Sequence, residues 1–180
     1  FTSRIIKRLL DSAIIAKDSD RQLFVPNPAR LLDAWRESYD FSKHTIFKGH
    51  ISSRSSEELL YRFPGLIKRF DMEYAATGLA AAWLYDHFAN FRIVTFYLKQ
   101  RPSEELLKET DFREGEQGAN IWLVTPNDDG VFQGSQEVDG IMCVHPIQVY
   151  LDLKGHPERS AEAARSLQEH YLKWSLMNGR

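Results

Sequence analysis

The stretch FRIVTFYLK, residues 91–99, most constrains the fold because it is apolar on both faces. β-Branched and aromatic residues favour strands, and a strand without a polar side belongs in the middle of a covered sheet. ANIWLVTP (119–126) and GIMCVHP (140–146) predict two more strands, and TIFKGHI (45–51) is a candidate fourth. Helical patterns lie before, between and after them, so residues 39–180 predict an α+β domain, a mixed β-sheet with helical cover.

Three longer helical segments are predicted in this domain. Residues 52–70 begin with good helix-capping chemistry, but Pro64 is expected to kink or end that helix at the residue before it. Residues 73–89 are apolar almost all round and predict a buried core helix, in which Gly78 permits a close helix contact. Residues 157–177 have the clearest helical pattern, with an apolar stripe of Ala164, Leu167, Tyr171 and Trp174.

Residues 1–38 predict a separate small domain, a partial winged helix-turn-helix. Apolar residues at helical spacing predict a helix over residues 2–13, and residues 13–27 form two short strands around the polar turn KDSD. A second helix follows a cap at Asn27, with Pro28 at its first position. Helix, hairpin and helix are the second half of a winged helix, so the apolar stripe is expected to pack on earlier helices that this chain does not contain.

Charge is unevenly distributed along the chain. Residues 1–36 hold seven Lys or Arg and four Asp, a net +3, while the other 144 residues hold 16 basic and 21 acidic groups, a net −5. A basic N-terminal segment followed by an acidic domain indicates that the N-terminal segment binds a polyanion. A recognition helix places its N-terminal residues near bases and phosphates, which gives the candidate DNA-binding residues Thr2, Ser3, Arg4, Lys7 and Arg8. The structural alternative is a basic amphipathic helix that binds no nucleic acid.

No catalytic residue, metal or cofactor is predicted. Cys143 and His145 alternate on a strand without a third group to orient them, so we expect a buried structural cysteine. The histidines lack metal spacing and there is no second cysteine, so zinc is not expected.

The segment NDDG (127–130) has turn composition, and Asp152 and Lys154 fall in a predicted short helix. The enzyme alternative is a metal-dependent nuclease or nucleotide-handling domain, which would centre on Asp128, Asp129 and Asp152.

The composition also bears on location. A single cysteine allows no intramolecular disulfide, which favours the reducing cytoplasm. No apolar run approaches the roughly 18–20 residues that cross a bilayer, and the N-terminus lacks the apolar segment of a signal peptide. We therefore expect a cytoplasmic protein without a membrane partner.

Four stretches of the sequence together resemble one family. They are SRIIKRLLDSAIIAKDSDRQLFVPNPARLLDAW (3–35), YAATGLAAAWL (74–84), ANIWLVTPNDDGVF (119–132) and HPIQVYLDLKGHPERSAEAARSLQEHYL (145–172). The last stretch is the most specific. On these motifs the chain resembles the AbiEi-like antitoxins and transcriptional regulators of bacterial type IV toxin–antitoxin and phage-defence systems.

The resemblance implies an N-terminal domain that binds double-stranded operator DNA and represses its own operon. It adds Arg21, on the wing, to the DNA-binding residues. It also implies a C-terminal antitoxin domain that opposes a nucleotidyltransferase-type toxin without requiring a stable complex. A further alternative from the residues alone is a protein-interaction module that uses the C-terminal helix.

Overall fold

The computed structural model describes residues 2–88 and 90–172, with the backbone alone for Thr2. The chain divides into two compact units, whose described parts are residues 2–39 and residues 40–172. The first unit consists of helices and a hairpin, and the second is built on a large sheet.

The first unit has the predicted helix–hairpin–helix order. Its elements are α1 (Thr2–Asp11), β1 (Ala16–Lys17), β2 (Leu23–Phe24) and α2 (Pro28–Ser38). The two short strands pair antiparallel. The side chain of Asn27 accepts a hydrogen bond from the N–H of Arg30, and Pro28 occupies the first helical position, so the predicted start of α2 is confirmed.

A mixed sheet, seven-stranded within the described residues, forms the second unit. Its strands are β3 (Thr45–His50), β4 (Tyr74–Thr77), β5 (Val94–Leu98), β6 (Arg113–Glu114), β7 (Ile121–Thr125), β8 (Gln136–Val138) and β9 (Ile141–Cys143). Their spatial order is β6-β3-β7-β5-β4-β9-β8, in which β5 runs parallel to β7 and β4 parallel to β9. Every residue of β5 is buried, which confirms the central strand predicted within residues 91–99.

Helices cover both faces of this sheet, so the mixed α+β fold is confirmed. They are α3 (Ser56–Arg69), α4 (Gly78–Asp86), α5 (Glu104–Glu109), α6 (Pro146–Asp152) and α7 (Ser160–Tyr171), with single 3-10 turns at Phe41–Lys43 and Asp129–Phe132. Successive side chains of a strand point to opposite faces. On one face Phe96 stacks on Phe63 of α3, with ring centroids 5.5 Å apart. On the other face the hydroxyl of Tyr97 donates to Asp152 of α6.

Pro64 does not end α3, so the prediction that the helix stops at the residue before it was wrong. The helix continues to Arg69, five residues beyond the proline. A helical proline removes one backbone hydrogen bond and costs roughly 3 kcal/mol. Here Phe63, Pro64 and Ile67 are all buried, and packing of this apolar side of the helix offsets the lost bond.

Residues 73–89 do not form one helix, which is a second correction. Tyr74–Thr77 is strand β4, and the helix begins only at Gly78. The strand pairs with β5 on one side and β9 on the other, so it is buried throughout and shows no alternating pattern that separates it from a buried helix. The described residues of this unit hold more strands than the three or four predicted, because β6 and β8 are short and mostly exposed.

The last helix agrees with the sequence only in part. Ala164 and Leu167 of α7 are buried as predicted, but Tyr171 is 46% exposed. Its hydroxyl donates to the backbone carbonyl of Tyr85, which holds the Tyr171 ring of α7 against α4. The predicted continuation through Trp174 lies outside the described residues.

Candidate nucleic-acid interface and a buried polar centre

Helix α1 carries three cations on one side. Arg4, Lys7 and Arg8 have i, i+3 and i+4 spacing, which makes them neighbours on the helix surface. All three are exposed, and no ion pair joins them to another residue in the described part of the chain. Their charges are therefore available to an anionic partner.

The opposite side of α1 is apolar and partly covered. Ile6, Leu9 and Leu10 are half-buried, and Ile15, just beyond the helix, is buried. The carbonyl of Leu9 accepts the N–H of Ile15 at 3.3 Å, which folds the chain back at the helix end. The apolar stripe of α1 is therefore covered only in part: Ile5 is 45% exposed and Ala13 is exposed, while the basic residues are turned to solvent.

The hairpin that follows has a turn organised by one aspartate. Oδ1 of Asp18 accepts the N–H groups of Asp20, at 2.9 Å, and Gln22, at 2.8 Å. Arg21, between them, has a φ of +61° and is exposed. The Asp18 carboxylate thus bonds backbone N–H groups, and no ion pair joins Arg21 to another described residue.

The predicted DNA-binding residues all lie in the first unit. Ser3, Arg4, Lys7 and Arg8 are exposed on α1. Thr2 is the first residue of that helix, and its side chain lies outside the described part. Sequence reasoning therefore located a group of exposed cations on one helix, with Arg21 in the adjoining hairpin.

A buried polar centre, which sequence reasoning missed, lies in the second unit. Asp152, at the end of α6, is 1% exposed. Its carboxylate accepts hydrogen bonds from the hydroxyls of Thr77 and Tyr97 and from the side-chain amide of Gln148. Buried carboxylates are tolerated when such donors satisfy them. The centre joins the end of β4, the middle of β5 and helix α6, and its donors are far apart in sequence.

Gly78 directly follows Thr77 of this centre, and its backbone conformation explains why glycine occupies the position. Its φ is +62°, and a Cβ on it would lie 3.2 Å from Nε2 of His156 and 3.4 Å from Oγ1 of Thr95. The Nδ1 of His156 lies 2.9 Å from the carbonyl oxygen of Pro157, so Nδ1 carries the proton and Nε2 is an acceptor. Burial lowers the pKa of His156 and keeps it neutral. The close neighbours of Gly78 are thus a loop histidine and a strand threonine, where a helix contact was predicted.

Cys143 is a buried structural cysteine, as predicted. It is fully buried in β9, and this burial raises the pKa of its thiol to about 12. Nδ1 of His145 accepts the N–H of Ile147, so this side chain caps α6. The protonated, buried thiol and the helix-capping imidazole therefore both have structural roles.

The acidic residues of the enzyme alternative are not assembled into a site. Oδ1 of Asp128 accepts the N–H of Gly130 and begins a 3-10 turn, where a simple turn was favoured from the sequence. Asp152 is enclosed by protein donors, and it belongs to a helix as predicted. Within residues 2–88 and 90–172 no three His, Cys, Asp or Glu residues are grouped to hold a metal ion.

The described chain thus joins a helix–hairpin–helix unit with exposed basic residues to a mixed-sheet unit. The chain belongs to the AbiEi family: the family model described as transcriptional regulator, AbiEi antitoxin, type IV toxin–antitoxin system matches residues 23–173. The match covers α2 and the sheet unit but starts after α1 and Arg21. Neither the curated proteins nor the solved structures contain a match. Among the described residues no helix has both the length and the apolar character needed to cross a bilayer.

Proposed function

We propose that the protein binds operator DNA through α1, represses its own operon and opposes a nucleotidyltransferase-type toxin. The observation that carries the DNA-binding part is the exposed basic face formed by Arg4, Lys7 and Arg8, which no acidic residue of the described chain neutralises. The antitoxin part rests on membership of a family of type IV antitoxins.

The shape and charge of α1 support insertion in a major groove. A groove of B-DNA admits one α-helix, whose N-terminal residues then lie nearest the base edges. Arg4 is in the first turn of α1, and Lys7 and Arg8 follow on the same side. Arginine binds guanine or phosphate through two parallel hydrogen bonds, and lysine neutralises phosphate as a point charge.

The hairpin supplies the second contact of the proposed interface. Arg21 is exposed in a turn that Asp18 already stabilises, so its guanidinium is available to a backbone phosphate. Such a contact fixes the register of a protein on the duplex and carries no sequence information. In this proposal the first unit is a partial winged helix, with α1 as recognition helix and the hairpin as wing.

The test compares two double variants of the full chain. Arg4→Ala/Arg8→Ala removes two charges from α1, and the control Lys108→Ala/Arg165→Ala removes two exposed charges from the second unit. Affinity for a duplex from the protein's own promoter is measured by fluorescence anisotropy over a salt series. With three to five phosphate contacts, the log–log salt slope should be roughly −3 to −5, and the α1 variant should lower its magnitude by about 2. Unchanged operator binding by the α1 variant would remove α1 from this role.

The antitoxin part is tested separately. The α1 double variant should lose repression of a promoter fusion but still protect cells that express the partner toxin, because antitoxin action is assigned to the second unit. Loss of protection together with repression would contradict this division of roles.

A further inference from the structure

A pocket of about 580 Å³ opens at one end of the sheet of the second unit. Its volume is in the range of small-molecule sites. It lies between the end of β3, the N-terminus of α3, the starts of β5 and β7, and the loop before α7. Its polar lining includes His50, Ser55, Ser56, Arg92, Asn120 and Glu158.

Three donors converge on one carboxylate in this pocket. The backbone N–H of Arg92 donates to Oε1 of Glu158 at 3.1 Å, and its Nε donates to the same oxygen at 3.1 Å. The backbone N–H of Ile93 donates to Oε2 at 3.4 Å. Successive backbone N–H groups together with a guanidinium are the donors with which proteins bind phosphate oxygens.

Glu158 fills this donor set from a strained position. Its φ of +72° is in the left-handed region that a non-glycine residue rarely adopts. Its side chain is only 11% exposed, whereas that of Arg92 is 89% exposed. Arg92 and Glu158 are the charged side chains of the lining, so removal of the carboxylate would leave an unneutralised guanidinium facing the pocket.

The walls of the pocket are held by bonds that do not involve Glu158. Oγ of Ser56 donates to the carbonyl of Arg92 at 3.0 Å and fixes the start of β5 to α3. The side chain of Asn120 accepts the N–H of Ile51 at 3.0 Å and donates to its carbonyl at 2.8 Å. The backbone at Arg92 is therefore anchored to α3 by a bond that does not depend on the carboxylate.

We propose that this pocket binds a phosphate-class oxyanion, free or as the ester of a small molecule, which displaces the Glu158 carboxylate from Arg92 and Ile93. The oxyanion takes the same three donors, and the remaining volume accommodates the organic part of an ester. This site is independent of the DNA-binding role of the first unit.

The test is calorimetric titration of the full chain with inorganic phosphate, AMP and adenosine. Glu158→Gln removes the charge of the internal competitor, and Glu169→Gln, on the exposed side of α7, is the matched control. Glu158→Gln should bind phosphate or AMP about tenfold more tightly than the unchanged protein, since an anion no longer competes. Glu169→Gln should bind as the unchanged protein does, and adenosine should bind to none of them. Comparison of phosphate with AMP distinguishes the free ion from the ester.

A second measurement reports on the donors themselves and does not depend on any variant. The amide resonances of Arg92 and Ile93 in the unchanged protein should shift on addition of phosphate or AMP at millimolar concentration. Adding Arg92→Ala to Glu158→Gln should reverse the gain in affinity. Absence of both binding and amide shifts, or an equal gain in Glu158→Gln and Glu169→Gln, would overturn the proposal.

Discussion

The hydroxyl of Thr77, at the end of β4, donates a hydrogen bond to Oδ2 of Asp152, at the end of α6. Tyr97 of β5 and Gln148 of α6 donate to Oδ1 of the same carboxylate. Because Asp152 is buried, this group of four side chains fixes the position of α6 on the sheet. Thr77 belongs to the stretch 74–84, and Gln148 and Asp152 belong to the stretch 145–172, so two of the stretches that resemble the family contain residues with this structural role.

Asp152→Ala should destabilise the protein. The change removes the buried acceptor to which Thr77, Tyr97 and Gln148 donate, and we expect a loss of roughly 2–4 kcal/mol in the free energy of unfolding. Urea denaturation followed by tryptophan fluorescence measures it. Thr77→Val, Asp152→Ala and the double variant form a cycle, whose coupling energy should exceed about 0.5 kcal/mol. Additive effects would show that the two side chains do not act together.

Gly78→Ala and Gly65→Ala should have opposite effects. Gly78 has a φ of +62° and lies close to His156, so the new methyl group should cost roughly 1–3 kcal/mol. Nothing lies within 4 Å of a Cβ on Gly65, in the middle of α3, so alanine there should stabilise the protein by roughly 0.5–1 kcal/mol. The midpoints of thermal unfolding should move down and up respectively. Equal shifts would contradict the role assigned to the backbone of Gly78.

Stability should fall as the pH is lowered through about 6.5. Burial lowers the pKa values of His44 and His156 below the ordinary imidazole value of 6.5. In the window between the lowered pKa and 6.5 the unfolded chain binds more protons than the folded protein, so protons favour unfolding. The stability is complete above this window and declines within it. Urea unfolding at a series of pH values measures the slope.

Two variants locate the origin of that slope. His156→Gln should flatten the decline, and His44→Gln/His156→Gln should flatten it further, because the buried imidazoles are then absent from both states. An undiminished slope in the double variant would assign the pH dependence to other groups.

The thiol of Cys143 should be unreactive in the folded protein. With a pKa of about 12, its thiolate fraction at pH 8 is about 10⁻⁴, and the side chain is fully buried. A thiol-specific chromogenic reagent should therefore label no cysteine in native buffer and one cysteine per chain in guanidinium. Rapid labelling of the folded protein would contradict the buried structural role.

Much of the candidate interface could be predicted from the sequence, since it depends on local periodicity. The spacing of Arg4, Lys7 and Arg8 fixes their common helix face before any tertiary contact forms. The same holds for the Asn27 cap of α2 and for the central strand β5, whose β-branched and aromatic residues suit a covered sheet.

The polar centre and the pocket could not be predicted in this way. Thr77 and Asp152 are 75 residues apart, and so distant a pairing carries no local pattern. Because β4 is buried throughout, its residues show no alternating pattern that marks the boundary with α4. Packing of the apolar side of α3 likewise lets that helix continue past Pro64 to Arg69.

The amino-acid sequence by itself determined which segments form amphipathic helices and buried strands, where the basic charge lies and which family the chain resembles. Only the tertiary structure decided which distant residues meet. Asp152 accepts hydrogen bonds from Thr77 and Tyr97, His156 lies beside Gly78, and Glu158 occupies the donors of Arg92 and Ile93. The physical reason is that periodicity and capping act over a few residues. Hydrogen bonds to buried polar groups and close backbone approaches depend instead on how distant elements pack together.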